Sequence, residues 1–254
     1  MKIIKNQKKR VKTELSKLEK VLKYFRDAST ETKSYEKVRG SNFVHETIPL
    51  CNVVKVEGNV IKMTDRIFLL EIPNDYGLKD QFINVNSFLK NGEMDYQYEY
   101  NYPDFNSVKR VYENSCKINF EIKEFFKNIS IRYRNQNNKL DLVLRVIKDN
   151  LYVYIRDRRW SYSKDQWVYE KLGLVKVNNP SNINSRLMFD PVKFVNILKI
   201  FREYGSQKVE LEFNHFDIKN IRVHDGHYDF WVNEPITLRT ENCFGMIMQR
   251  IDRD

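Results

Sequence analysis

The segment SRLMFDPVKFVNILKIFREYG, residues 185–205, contains both ends of a helix. Asp190 is suited to accept from the free amides of a first turn, Pro191 fits the first helical position where no donor is needed, and Gly205 supplies a left-handed stop. Between these ends Phe194, Leu198 and Phe201 fall on one face. Lys193, Asn196, Lys199 and Arg202, spaced by three, read as a polar stripe with three positive charges on another face. Apolar residues 187–189 precede the helix as a short strand. After it, residues 208–213 alternate Val209, Leu211 and Phe213 with Glu210 and Glu212, the period of a half-buried strand. The unit is strand, two-faced helix, strand, and its row of cations suits a polyphosphate backbone.

The same pattern recurs along the chain, beginning near residues 2, 82, 117 and 186. Near the start, Val11, Leu15, Leu18, Leu22 and Phe25 mark an amphipathic helix whose other faces carry Lys12, Lys17, Lys20 and Lys23. Strands follow over 54–56, 60–63 and 67–72, with a turn at Glu57-Gly58-Asn59. Residues 82–90 repeat strand and helix start, with Asn84 or Asn86 as cap, and a Tyr-rich stretch leads to a linker around Pro103. In the second half, 117–120 is a strand, and Ile122, Phe125, Phe126 and Ile129 form the buried side of a helix that exposes Lys123 and Lys127. Alternating strands then lead to the segment above, and a hairpin over 236–239 and 244–251 closes the chain. The reading is an α+β protein of two domains, 1–108 and 109–254, each built from repeated strand–helix–strands units.

Length and composition agree with packed domains. The 254 residues are 41% hydrophobic and 13% aromatic, and 44 Lys and Arg face 34 Asp and Glu. Residues 1–26 alone hold ten Lys or Arg against Glu14 and Glu19, which favours anionic partners such as nucleic acid. There is no apolar run long enough to span a bilayer and no signal-peptide core, so an intracellular protein with no membrane partner is expected. Cys51, Cys116 and Cys243 are far apart and form no CxxC pair, and they read as buried small hydrophobes.

Several segments resemble the sliding clamp family of polymerase processivity factors. CKINFEIKEFFKNI (116–129) looks like the strand and helix that open a clamp domain. RLMFDPVKFVNILKIF (186–201) with KVELEF (208–213) resembles the bacterial clamp's corresponding helix and next strand. EPITLRTENCFGMIMQRID (234–252) is similar to the final clamp hairpin, with Gln249 where Pro is usual, and TIPLCNVVKV (47–56) and YPDF (102–105) resemble first-domain and pre-linker segments. The chain departs from the family in a short second repeat at 82–108, an insertion at 214–235 and a net positive charge.

The resemblance implies sheets outside and basic helices on an inner face, with Lys12, Lys20, Lys23, Lys123, Lys127, Lys193, Lys199 and Arg202 against duplex DNA. It implies sequence-independent phosphate contacts, no catalysis and no cofactor. It also implies a partner pocket at Met246, Ile247, Met248 and Arg250 that receives an apolar peptide from a DNA polymerase or another clamp-binding protein, and a homotrimer if a ring closes. A second reading is a nucleic-acid-binding protein or transcription factor with a clamp-like fold that does not encircle.

Two other constellations compete. His215, His224 and His227, with Asp217 and Asp225, offer ligand types for a metal-dependent nuclease, although their spacing matches no mechanistic signature. Residues 155–171, IRDRRWSYSKDQWVYEK, interleave Arg156, Arg158 and Arg159 with Trp160, Tyr162, Trp167 and Tyr169 in the manner of a platform for unpaired bases. Walker, GxGxxG, GxSxG and HExxH motifs are absent from the sequence.

Overall fold

A computed structural model describes residues 16–29, 52–65, 67–94, 96–97, 102–109, 115–129, 140–157, 169–180, 185–214, 223–224, 227–228 and 235–249. The chain divides into two compact units, Met1–Val108 and Lys109–Asp254.

In the first unit, helix α1 is described over residues 16–28. Leu18, Val21, Leu22, Phe25 and Ala28 recur at helical spacing and are buried, while Glu19, Lys20, Lys23 and Arg26 are exposed. Strands β1 (Val53–Glu57), β2 (Val60–Thr64) and β3 (Phe68–Pro73) form an antiparallel meander, and β4 (Gln81–Asn84) pairs with β1, giving the order β4-β1-β2-β3. The β1–β2 turn uses Gly58 at φ 58°, a conformation that costs glycine little. Phe25 meets Phe68 edge-on at 5.9 Å, fixing α1 to the sheet.

Asn84 ends β4 and caps α2 (Val85–Asn91), its side chain accepting from Ser87 N–H at 3.1 Å. The second repeat is cut short after α2. A single bridge pairs Phe82 with Tyr96, and the chain then passes through the four-residue helix α3 (Phe105–Val108). Tyr102 lies against Phe82 and Phe105, and its hydroxyl donates to Lys62 O at 2.9 Å.

The second unit contains the repeat twice. The first copy runs β5 (Ser115–Glu121), α4 (Ile122–Asn128), β6 (Leu140–Ile147), β7 (Asn150–Asp157) and β8 (Tyr169–Lys176). The second runs β9 (Ser185–Phe189), α5 (Pro191–Glu203), β10 (Lys208–Asn214), the two-residue strands β11 (Val223–His224) and β12 (His227–Tyr228), then β13 (Pro235–Arg239) and β14 (Phe244–Met248). The copies exchange their first strands. β9 joins the other copy's meander in the order β8-β7-β6-β9, and β5 joins β14-β13-β10 beside β10. A bridge between Asn119 and Asn178, with N–H···O distances of 3.0 and 2.9 Å, ties the two sheets together. The first unit's order β4-β1-β2-β3 is the same arrangement as β9-β6-β7-β8.

Both helices of the second unit cover one face of these sheets. Phe125 of α4 touches Phe120 at 5.5 Å and Phe194 of α5 at 5.9 Å, and Phe194 stacks on Phe189 at 4.9 Å. Gly173 on β8 lies directly under the end of α4, where a Cβ would stand 2.3 Å from Asn128 O. Only glycine permits that approach. The expected caps of α5 are in place, since Asp190 accepts from Val192 and Lys193 N–H at 2.9 and 3.2 Å and Gly205 adopts φ 76°. Cys116 and Cys243 are buried and are not joined in a disulfide, and Cys51 lies outside the described residues. Among the described residues no helix is long and apolar enough to cross a membrane.

Candidate nucleic-acid interface

Helices carry the expected cations, but not all of them face solvent. On α4, Lys123 and Lys127 are one turn apart and exposed, and Lys127 lies loosely against Glu124 at 3.7 Å. On α5, Arg202 is exposed and places its guanidinium 4.9 Å from the centre of the Phe126 ring, so α4 and α5 share one cationic end. Lys199 is half-buried and donates to Asn196 Oδ1 at 2.9 Å.

Lys193 departs from the expectation. It is only 3% exposed, and Asn196 only 5%. The cause is geometric. With about 100° between successive residues, each step of three rotates the position by about 60°, so Lys193 and Arg202 lie about 180° apart. A spacing of three cannot hold four residues on one face of a helix this long. Pro191, Val195, Ile197 and Ile200 are buried besides Phe194, Leu198 and Phe201, so α5 is enclosed on most sides. The open arc is limited to Val192, Lys199, Arg202 and Glu203.

In the first unit, Lys20 and Lys23 are exposed on α1 opposite its buried side, and Lys17 reaches Asp75 at 3.7 Å. Lys12 lies outside the described residues. A cation not expected from the sequence is Lys90, exposed in the last turn of α2. Its signal was the Asn84 cap, which sets the helix phase and places Lys90 away from Val85 and Phe88.

The opposite face of the β14-β13-β10-β5 sheet neutralises itself. Lys117 donates to Glu210 at 3.1 Å and lies 3.7 Å from Glu212, which also receives Ser115 Oγ at 2.7 Å and Arg239 Nε at 3.4 Å. Burial alone would raise the Glu212 pKa, but the Ser115 hydrogen bond and the charges of Lys117 and Arg239 hold it below the usual value. The hydrogen bond to Glu210 raises the Lys117 pKa.

The expected partner pocket is divided by strand alternation. Ile247 points to the helix side and is fully buried, whereas Met246 and Met248 share the other face, the first 3% exposed and the second half-buried. Arg250 lies outside the described residues. Of the expected base platform, Arg156 is buried and bound to Asp141, its Nη2 and Nε lying 3.0 and 3.2 Å from Oδ2. Residues 158–168 lie outside the described set. His224 and His227 pair across β11 and β12; their side chains, and residues 215–222, are outside it too. Among the described residues no three His, Cys, Asp or Glu side chains gather to hold a metal ion.

The fold is similar to that of several solved structures. The Helicobacter pylori beta clamp bound to a DNA ligase peptide matches with a TM-score of 0.55 at 11% identity, over 92% of this chain and 63% of that one. The DNA polymerase sliding clamp of Caulobacter crescentus matches with a TM-score of 0.55 at 12% identity, over 94% and 64%.

The chain has the sliding-clamp fold.

The Bacillus subtilis sliding clamp matches equally well, with a TM-score of 0.54 at 15% identity over 92% of this chain and 62% of that one. The chain therefore spans less than two thirds of the length of each of these clamps. No family profile matches the sequence, and no curated protein matches it.

Proposed function

We propose that this chain is a DNA-bound processivity factor that holds a polymerase or another partner on duplex DNA through sequence-independent phosphate contacts. The observation that carries the reading is the helix layer of the second unit, where a sliding-clamp fold presents Lys123, Lys127 and Arg202 with Lys199 beside them. Lys20 and Lys23 of α1 offer the same chemistry in the first unit. Lysines and arginines on helices meet phosphates without reading base edges, so the complex moves along the duplex and weakens with salt. The protein does no bond chemistry. Three copies of a two-unit chain supply six units, the number proposed to close the ring. Met248, with Met246 beside it on the same face, is the part of the last strand proposed to meet an apolar partner peptide.

The net charge of +10, concentrated in residues 1–26, favours a second reading in which the chain binds nucleic acid without encircling it. The test is duplex affinity against salt for the full chain and for Lys123→Gln/Lys127→Gln. Removing one lysine–phosphate pair should lower the log–log salt slope by about 0.9, which is about eight-fold in affinity at 0.1 M salt. Duplexes of unrelated sequence should bind alike. An unchanged slope in the double variant removes α4 from the interface, and strong preference for one sequence contradicts the reading altogether.

A further inference from the structure

One aromatic side chain of the helix layer is not fully taken up by the core. On α4, Lys123, Phe126 and Lys127 stand at i, i+3 and i+4 and so share a face. Lys123 and Lys127 are exposed and Phe126 is half-buried. Its neighbour Phe125 is fully buried and makes the contacts to Phe120 and Phe194 that fix α4 within the unit. Phe126 meets Phe125 edge-on at 5.8 Å. The centre of the Phe126 ring also lies 4.9 Å under the Arg202 guanidinium, which comes from the last turn of α5. Arg202 is exposed, and among the described residues no carboxylate pairs with it. Lys127, by contrast, has Glu124 at 3.7 Å.

A guanidinium at the end of a long exposed side chain is spread over many rotamers, and fixing it on a phosphate costs that freedom at the moment of binding. A cation held over a ring face has lost part of that freedom beforehand. The attraction comes from the ring's quadrupole, so the N–H donors remain available to another acceptor. Leucine at position 126 would cover much of the same surface without holding a cation. Packing alone therefore does not call for an aromatic ring there, whereas linking a cation of α5 to the lysines of α4 does.

We propose that Phe126 is a positioning residue for duplex DNA, holding the Arg202 guanidinium on the same side of α4 as Lys123 and Lys127 so that cations from two helices meet one phosphate backbone at a preset spacing. The proposal rests on the duplex-binding reading above and adds to it the residue that organises its cations. Phe126 itself touches no phosphate and acts through Arg202.

The experiment is a double-mutant cycle on the full chain, read as the affinity of a labelled duplex of about twenty base pairs at several salt concentrations, with each variant's melting curve alongside. Phe126→Leu should weaken duplex binding about two- to five-fold at 0.1 M salt, the size of an exposed cation–π contact. Its log–log salt slope should stay close to that of the parent, because Arg202 is still present. Arg202→Gln should lower the slope by about 0.9, and in that background Phe126→Leu should change affinity by less than about 1.5-fold. Phe126→Trp keeps a ring beneath the guanidinium and should bind at least as tightly as the parent. A purely structural role would move the melting curve and leave no coupling between positions 126 and 202. Unchanged affinity in Phe126→Leu overturns the proposal, as does an equal loss in the two backgrounds or a Phe126→Trp variant that binds no better than Phe126→Leu. If Lys123→Gln/Lys127→Gln lowers the salt slope while Phe126→Leu is silent, the positioning role fails and the helix-layer reading stands. A slope unchanged in both Lys123→Gln/Lys127→Gln and Arg202→Gln overturns that reading and the proposal with it.

Discussion

Replacing Asp141 by Leu should destabilise the second unit more than most single substitutions. Asp141 on β6 and Arg156 on β7 are cross-strand partners, 1% and 2% exposed, with two guanidinium hydrogen bonds directed at one carboxylate oxygen. Removing the carboxylate takes the Asp141 counter-ion from a buried guanidinium, and breaking a buried pair in this way costs about 3–5 kcal/mol. For a protein of this size each kcal/mol lowers the melting temperature by about 2–4 °C, so a fall of about 10 °C is expected. Replacing both partners, Asp141→Leu with Arg156→Met, removes the stranded charge along with the pair. That variant should return to within about 1 kcal/mol of the parent, because a buried ion pair and an apolar pair of similar volume are close in stability. Urea denaturation followed by far-ultraviolet circular dichroism gives both quantities, and an unchanged m-value would show that the denatured state is the same. A single-variant loss below about 1 kcal/mol, or a double variant worse than the single, would refute the reasoning by showing that the Asp141 carboxylate is not what stabilises the buried Arg156.

Other perturbations follow from local geometry. Gly173→Ala should destabilise the second unit by about 2–3 kcal/mol in the same denaturation assay, because its Cβ would stand 2.3 Å from Asn128 O and 2.8 Å from Ile129 Cδ1; a neutral result would show that α4 shifts freely on β8. Asp190→Ala removes the acceptor for Val192 and Lys193 N–H and should cost about 1 kcal/mol, whereas Asp190→Asn should cost little. In the first unit, hydrogen bonds from Lys55 and Lys62 lower the Glu57 pKa from 4.5 to about 2. Its folded pKa is depressed, so its contribution is present above the unfolded pKa and is lost as pH falls from 4.5 toward 2. The side chain is 44% exposed, which limits the effect to below about 1 kcal/mol. The stability gap between parent and Glu57→Gln should close across that range, and a gap constant with pH would contradict the assignment.

Much of the fold is legible in the sequence because its punctuation is local. Asp190-Pro191 and Gly205 bound α5, Asn84 caps α2, and the alternation in 140–146 and 208–213 gives β6 and β10 with the expected faces buried. The repeat starts near 82, 117 and 186 coincide with β4, β5 and β9; the start near residue 2 lies outside the described residues. What could not be read locally was which partner each element meets. Lys193 reads as surface until the drift of a three-residue spacing is set against 3.6 residues per turn and the apolar residues on the remaining sides are seen to be covered. Arg156 reads as a surface cation beside aromatics, and only the β6–β7 register supplies Asp141, fifteen positions earlier, as its partner. The exchange of β5 and β9 between the two copies depends on pairing across long stretches of chain, which no window of the sequence contains.

The central claim is that the protein holds duplex DNA topologically as well as by charge. The most direct measurement is the lifetime of the full chain on a closed circular duplex and on the same molecule linearised, at a salt concentration that suppresses simple electrostatic binding. The account predicts retention on the circle and rapid loss from the open ends. Equal lifetimes on both, each falling with salt, would contradict encirclement and leave direct binding through phosphate contacts.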